Sequence, residues 1–239
     1  MEKINSEPLI DYGLLSKVYG LLAFSITSAV AGSIVGLSYS TIIKNHFWLF
    51  AILEFVIAAI TYIVGKNKNT VIPGFILLNI TAFITGFTFI TGFTLITGLA
   101  QSSILSFALA VNPNAIVYAL VTTASTLLCM SLVVIVFRIN MLGLGGFLFA
   151  GFVAIVEVSL LNLFFHSGVL TLVIAIVFTI LFNLFVSYDI VCILNMGKDN
   201  QKEQQASAIE LTLELFFDVF NLFVNNLFLF LKISGDIRS

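Results

Sequence analysis

The chain has 239 residues, of which 60% are hydrophobic and only 9% are charged. A soluble domain usually carries about a quarter charged residues, so this composition cannot form a water-facing surface of normal polarity. The formal net charge is -2, without a basic or acidic run, which argues against a nucleic-acid partner. The composition predicts an integral membrane protein in a lipid bilayer.

Seven apolar segments are long enough, as helices, to cross about 30 Å of hydrocarbon. Backbone polar groups in lipid must be satisfied internally, and the segments lack the alternation of barrel strands, so we expect helices. Short connections leave room for one domain, which we expect to span residues 1–239 as an all-α bundle of seven transmembrane helices. The segments are Leu15–Leu37, Phe47–Val64, Val71–Thr97, Ala115–Phe137, Leu142–Phe165, Val169–Leu194 and Ser207–Leu231.

Lysine and arginine are distributed unevenly between the two ends of these segments. The positive-inside rule places the N-terminus in the cytoplasm and, with seven crossings, the C-terminus outside; a re-entrant segment would reverse the second assignment. The predicted cytoplasmic side carries Lys3, Lys17, Lys66, Lys68, Arg138, Lys198 and Lys202, and the other side carries Lys44, Lys232 and Arg238.

Two glycine-containing patterns predict close helix packing, because small residues at helical spacing let helix backbones approach. The first is GSIVG, with Gly32 and Gly36. The second is GGFLFAG, with Gly145, Gly146, Ala150 and Gly151. We expect both to serve packing rather than ligand binding.

Six acidic residues fall at or within the predicted segments: Glu54, Glu157, Asp189, Glu210, Glu214 and Asp218. An acid at mid-bilayer costs about 2.5–3.5 kcal/mol on insertion scales and usually faces the bundle interior or a water-filled cavity. Glu210 is close enough to a helix end for solvation at the interface. For Glu157, which is alone in its segment, a functional role and a structural hydrogen bond are both open.

The polar residues of the last segment follow one another at helical spacing. Intervals of four, four, three and four residues separate Glu210, Glu214, Asp218, Asn221 and Asn225. This spacing places all five on one side of a helix that otherwise consists of Leu, Phe, Val and Ile. We call these five residues the polar stripe and expect it to face partner helices or a water-accessible pathway.

Asp189 lies in the segment that precedes the polar stripe, and helices joined by a short connection are usually antiparallel neighbours. Asp189 is about a turn and a half inside its helix and Asp218 about three turns inside the next, so the two carboxyls are expected at similar depth. Two carboxylates in contact at low dielectric repel, so the pair should retain and share one proton. Loss of that proton would separate the helices or admit a cation, which predicts a pH-dependent gate.

Histidine and cysteine do not form a recognisable metal or disulfide pattern. His46 and His166 are far apart, whereas a zinc or iron site needs a cluster of ligands. Cys129 and Cys192 lie in apolar segments and are expected to be buried free thiols. We therefore expect no resident cofactor.

Three stretches of the second half resemble one known family. They are RINMLGLGGFLFAGFVAIVEVSLLNLFF, FVSYDIVCIL and LELFFDVFNLFVNNLFLF, with a weaker likeness at KVYGLLAFSIT. They resemble the closing helices of the Bax-inhibitor family (transmembrane Bax inhibitor motif proteins), and the likeness is specific from about Arg138 onward. The resemblance implies a seven-helix bundle around a central last helix, and we expect a bacterial member of the family.

The resemblance also implies a function. It implies a pH-sensitive calcium leak channel or transporter, gated by two aspartates that match Asp189 and Asp218, with calcium as the transported ion and no enzymatic activity. Bacterial relatives lie in the inner membrane; eukaryotic and viral relatives lie in the endoplasmic reticulum or Golgi membrane and suppress cell death. Some bacterial relatives modulate a membrane-bound AAA protease, which is a candidate partner.

A calcium site built on the two aspartates would be weak. Ca²⁺ takes six to eight oxygen ligands, whereas Asp189 and Asp218 supply at most four, so we expect transient binding of the kind that conduction requires. The further candidate residues of the ion pathway are Glu54, Glu214, Asn221 and Asn225.

The chain departs from the family where some relatives pair an arginine at the end of the second helix with the aspartate of the sixth. YIVGKNKN supplies only Lys66 or Lys68 at that position. Lysine cannot form the bidentate fork of arginine, so a basic latch on Asp189 is an open question.

Two other functions compete with a calcium leak. One is a non-conducting membrane interaction protein that modulates a membrane protease or a cell-death or stress partner, with the acids in structural roles. The other is an intramembrane aspartyl protease, since a carboxyl pair that shares one proton suits hydrolysis. The protease is disfavoured because such enzymes resemble Gly-x-Gly-Asp and Pro-Ala-Leu motifs, whereas this chain has LFFD and no proline after Pro113.

Overall fold

The structure, a computed structural model, describes residues 12–39, 42, 45–66, 71–92, 104–196 and 201–235. These ranges contain α-helices, one 3₁₀ turn at Leu142–Leu144 and no strand, which confirms the all-α prediction. The helices are α1 (Tyr12–Ser38), α2 (Phe47–Gly65), α3 (Val71–Gly92), α4 (Ile104–Val111), α5 (Pro113–Phe137), α6 (Gly145–Phe165), α7 (Gly168–Asn195) and α8 (Gln201–Ile233).

Each of the seven predicted segments overlaps one of these helices, and α4 is an addition that was not predicted. Only Asn112 separates α4 from α5, whose first residue, Pro113, suits a helix start because its missing N–H has no partner there in any case. Residues 93–97 of the predicted third segment lie outside the described ranges, as do Lys3, Lys44, Lys68, Lys198 and Arg238.

Five helices of the described chain are long and apolar enough to cross a membrane: Gly13–Ser38, Pro113–Phe137, Leu142–Asn162, Gly168–Asn195 and Ser207–Ile233. Two further apolar stretches, Ile52–Gly65 and Val71–Gly86, are shorter. Length and hydropathy therefore support a protein with several membrane-spanning helices, and they identify five spans rather than seven.

The last helix lies at the centre of the bundle. α8 packs against α1, α2, α3, α4, α5 and α7. Half of its membrane-spanning window is buried, compared with 11% for α6, which packs against α7. The apolar side chains of α8 supply much of the core, including Leu215, Phe216, Leu222 and Phe228. A polar residue on α8 is therefore placed where it meets other helices.

The first glycine pattern packs α1 against α3, as predicted. Gly32 and Gly36 are buried, and a Cβ added to Gly86 of α3 would overlap the backbone carbonyl of Ala29 on α1. The Ser33 hydroxyl donates a 2.9 Å hydrogen bond to the carbonyl oxygen of Gly86. The two backbones are in direct contact, which only small residues permit.

The second glycine pattern divides between two faces of α6. A Cβ on Gly145 would lie 2.8 Å from the Tyr188 hydroxyl, and one on Gly151 would lie 3.5 Å from Leu181, so both glycines face α7. Gly146 and Ala150 are exposed, and a Cβ on Gly146 would contact nothing. The packing prediction is thus wrong within the described chain for these two residues, because they lie on the opposite side of the helix. Cys129 is likewise exposed on α5 rather than buried as expected.

We predict that Gly86→Ala destabilises the fold, because the new methyl group forces α1 and α3 apart. The expected loss is about 1–3 kcal/mol, typical of overpacking. Thermal unfolding in detergent micelles measures it. Gly20→Ala is the matched control, because its Cβ meets open space and an exposed helical Gly→Ala change is neutral or stabilising by up to about 1 kcal/mol. Equal melting temperatures for the two variants would contradict the prediction.

Candidate functional site

The carboxyl groups of Asp189 on α7 and Asp218 on α8 lie within hydrogen-bonding reach of each other. Asp189 is buried, with 5% of its surface exposed, and Asp218 is half-buried. Their helices continue on either side into one apolar cluster that contains Ile190, Leu215 and Val219. The apolar neighbours hold α7 and α8 together and keep bulk water from the Asp189 side of the pair.

The hydrogen bonds around the pair leave one carboxyl oxygen unsatisfied, and a proton can bind there. Within the described residues no donor reaches Oδ2 of Asp189, although this atom is buried. An ionised carboxylate only accepts hydrogen bonds, so two carboxyls can bond to each other only when one is protonated. The arrangement is chemically suited to bind one proton between Asp189 and Asp218.

Glu214 lies one turn before Asp218 on α8, and its charge acts on both aspartates. Its side chain is exposed, in contrast to the buried Asp189. The same charge also acts on Tyr188 and Cys192 of α7, whose side chains are hydrogen-bonded to each other. A third carboxylate therefore borders the pair on its exposed side.

Lys66, at the end of α2, pairs with the first residue of the polar stripe. Its Nζ lies 3.2 Å from Oε1 of Glu210 and donates a 2.7 Å hydrogen bond to the Tyr62 hydroxyl. The hydrogen bond to Tyr62 and then that to Glu210 raise the pKa of Lys66, so the ammonium group stays charged. The structure thus places Lys66 on Glu210 of α8; Lys68, the other candidate for a latch on Asp189, lies outside the described residues.

Exposure of the polar stripe is greatest at Glu214 and decreases from there toward the C-terminal end of α8. Glu214 is exposed, Asp218 and Asn221 are half-buried, and Asn225 is buried. The Asn221 amide donates a 2.8 Å hydrogen bond to the Phe217 carbonyl of its own helix. The polar stripe is exposed at Glu214 and buried at Asn225.

Glu54 takes part in a different helix contact. Its Oε1 accepts a 2.8 Å hydrogen bond from Oγ1 of Thr85, which is buried on α3. This bond joins α2 to α3 and satisfies one carboxyl oxygen. Of the four candidate pathway residues, only Glu214 has a described interaction with the aspartate pair.

One polar contact of α8 was not predicted. The amide of Asn226 donates a 3.0 Å hydrogen bond to Oγ1 of Thr123 on α5, and both residues are buried. Asn226 lies outside the spacing of the polar stripe, and nothing in the sequence marks Thr123 as its partner. The bond ties α8 to α5 at the closed end of the stripe.

The described residues contain no group of three or more His, Cys, Asp or Glu side chains arranged to hold a metal ion. Asp189 and Asp218 alone supply too few oxygens for the six to eight that Ca²⁺ prefers. A cation at the pair would need water or backbone oxygens to complete its ligand shell.

These features define a helical membrane protein with several spans, whose central last helix carries a half-buried carboxyl in contact with a buried carboxyl of the preceding helix. Residues 12–236 match the family model described as "Inhibitor of apoptosis-promoting Bax1". The chain therefore belongs to the Bax inhibitor family, which confirms the resemblance seen in the sequence.

Similar proteins occur in several bacteria. A protein of Helicobacter pylori strain J99 is 28% identical over 207 residues, which cover 87% of this chain and 81% of the relative. A protein of Neisseria meningitidis serogroup A is 25% identical over 229 residues, covering 93% and 92%. An uncharacterized membrane protein of Streptococcus pyogenes serotype M3 is 26% identical over 167 residues, covering 69% and 65%. The likeness to these proteins extends over most of the chain.

We predict that Thr123→Val lowers stability, because it leaves the buried Asn226 amide without its acceptor. An unsatisfied buried polar group costs about 1–3 kcal/mol. Thermal unfolding in detergent measures the loss, and Ser125→Ala, at an exposed position of the same helix, is the control. In the double variant Thr123→Val/Asn226→Leu the loss of stability should be smaller than the sum of the losses in the two single variants. A loss equal to that sum would contradict a direct bond.

Proposed function

We propose that the protein is a pH-sensitive cation leak pathway, with calcium as the physiological ion, gated by one proton shared between Asp189 and Asp218. The observation that carries the proposal is the contact between these two carboxyls at the junction of α7 and the central helix α8. With the proton in place the contact is attractive and joins the helices. Without it the contact becomes a repulsion between two charges, which opens the junction or attracts a cation.

The exposure of the polar stripe supports a route to this gate. Glu214 is accessible and Asp218 is half-buried, so a cation can approach the pair along acidic side chains. Beyond the pair, Asn225 and Asn226 are buried, and Asn226 is bonded to Thr123. In this proposal the route is closed at Asn225 and Asn226 and open at Glu214.

Calcium is proposed as the ion because the pathway offers only hard oxygen ligands, which suit Ca²⁺. The two aspartates with Glu214 provide charge, while the small number of fixed ligands keeps binding weak. A conducting site must release its ion, so weak binding fits a leak better than a storage site.

The proposed topology has seven crossings. The five long apolar helices supply five, and the shorter apolar stretches Ile52–Gly65 and Val71–Gly86 supply two within α2 and α3. With the N-terminus in the cytoplasm, the ends of α2 and α7 and the start of α8 lie on the cytoplasmic side. The bacterial relatives support a bacterial plasma (inner) membrane as the location.

We predict that Asp189→Asn and Asp218→Asn each abolish the pH dependence of calcium flux through the purified protein in liposomes. In the wild type, flux should rise as the pH increases, because loss of the shared proton weakens the α7–α8 contact. An amide cannot lose that proton, so each variant should have a flat profile. Calcium entry reported by a trapped fluorescent indicator, measured from pH 5 to 9, tests this.

Glu157→Gln is the matched control, an acid-to-amide change on α6, away from the pair. It should retain the wild-type pH profile. If both aspartate variants retained that profile, the proposal that the aspartate pair gates the flux would be wrong. If the wild type showed no flux at any pH, the conducting function itself would be wrong, and the alternative of a non-conducting interaction protein, for example one that modulates a membrane-bound AAA protease, would be favoured.

We further predict that Glu214→Gln moves the pH midpoint of flux to lower pH. Removing a negative charge beside the pair makes loss of the shared proton easier, so the gate opens at a higher proton concentration. Glu54→Gln should leave the midpoint unchanged, since Glu54 bonds to Thr85 in another helix contact. Equal shifts in the two variants would show that the effect is not local to the pair.

A further inference from the structure

Asn183 carries a buried side-chain carbonyl oxygen that has no hydrogen-bond partner among the described residues. It lies on α7, six residues before Asp189, or about 9 Å along the helix axis. The Ser187 hydroxyl, one turn away, donates a 2.9 Å hydrogen bond to the main-chain carbonyl of Asn183, and the Thr179 hydroxyl donates to the main-chain carbonyl of Ala175. The neighbouring hydroxyl groups of α7 therefore do not satisfy the side-chain oxygen.

An unsatisfied oxygen at this position lowers the stability of the bundle. Buried polar groups are nearly always hydrogen-bonded, and an unsatisfied one costs free energy that a leucine of similar volume would not cost. Asp189, on the same helix, also has an unsatisfied buried oxygen, and the proposed function assigns it a proton. A ligand that binds in another state of the protein would likewise explain the oxygen of Asn183.

The packing of α7 on α8 sets the height of Asn183 in the bundle. Leu194, near the end of α7, shares an apolar cluster with Ala208 of α8, whereas Phe182 shares another with Leu222. The two helices are therefore antiparallel. Asn183, next to Phe182, lies close to the height of Leu222.

Two further amides lie near this height on α8. Asn225 and Asn226, three and four residues after Leu222, are each 5% exposed, and Asn226 is bonded to Thr123 of α5. Asn183 lies about 160° around α7 from Leu181, which contacts α6, and the other neighbours of α7 include α5 and α8. We call Asn183, Asn225 and Asn226 the amide layer.

We propose that the amide layer is a neutral oxygen site for the permeating cation beyond the aspartate pair, with the side-chain carbonyl of Asn183 as one ligand. This inference rests on the proposed function and extends its route past Asp218. Ca²⁺ accepts amide carbonyl oxygens as ligands, and in channels carbonyl oxygens replace part of the hydration shell of an ion. Asn225 follows Asp218 by seven residues, or two turns, so the layer continues the polar stripe.

The absence of charge in the amide layer suits the step after the pair. Carboxylates attract a cation strongly, whereas neutral amides hold it less tightly, and a conducting site must release its ion. In the described arrangement Asn225 and Asn226 are buried. When α7 and α8 separate after loss of the shared proton, the carbonyl of Asn183 becomes accessible, and the cation supplies the partner that this oxygen lacks.

The test compares Asn183→Leu with the wild type in two measurements on the purified full-length protein. These are calcium flux into liposomes from pH 5 to 9 and thermal unfolding in detergent. Asn183→Leu should lower the maximal flux about fivefold or more, because an ion ligand is lost, and should leave the pH midpoint unchanged. It should unfold at an equal or higher temperature, because it removes an unsatisfied buried oxygen.

Asn79→Leu is the matched control, an identical substitution at an amide that has a partner. The side-chain oxygen of Asn79, on α3, accepts a 2.8 Å hydrogen bond from the Ser28 hydroxyl of α1. Loss of this bond should lower the melting temperature and leave the maximal flux per folded protein unchanged.

The possible results separate this inference from the proposed function. Wild-type flux in Asn183→Leu overturns the amide layer alone, since Asp189→Asn and Asp218→Asn test the pair. A flux that falls together with the melting temperature in Asn183→Leu also overturns it, because Asn183 would then be a structural residue. A wild type without flux at any pH overturns both proposals.

Discussion

One constraint governs the centre of this protein: two carboxyls in mutual contact, within an apolar bundle, need a proton between them. Asp189 is buried among apolar residues, and a lone ionised carboxylate there would carry a large desolvation cost. Contact with Asp218 lowers that cost only while one carboxyl is protonated. The packing of α7 on α8 and the protonation of the pair are therefore linked, and each favours the other.

The position of α8 follows from this constraint. A helix that carries five polar residues on one side cannot face lipid, and α8 lies at the centre, in contact with six other helices. Its polar groups are satisfied differently along its length. Near its start, the charged Glu210 pairs with Lys66; near its other end, neutral Asn226 bonds to Thr123. An ion pair with the exposed Lys66 thus lies near the start of α8, and a neutral hydrogen bond lies at its buried end, where an unpaired charge would be costly.

The features that could be predicted from the sequence depend on helical periodicity and on short connections between helices. Features that depend on which of several partners a side chain contacts in the folded protein could not be predicted. The spacing of the polar stripe and the short connection before it predicted a meeting of Asp189 and Asp218. By contrast, the sequence does not indicate which of several acids a lysine will contact. Lys66, a candidate partner of Asp189, pairs with Glu210 instead. The α4 helix was missed because eight apolar residues before Pro113 are too few for a membrane span.

Glu157 and Asp189 are two acids within apolar helices that have different surroundings. Asp189 is itself buried and lies on α7, 33% of whose span is buried, whereas Glu157 lies on α6, only 11% of whose span is buried. Inside the bundle the second carboxyl comes from the neighbouring helix of the same chain. On α6, Glu157 has no hydrogen bond or ion pair among the described residues. The pairing of Asp189 with Asp218 is therefore a property of the contact between α7 and α8, and an acid in an apolar helix does not create such a pair by itself.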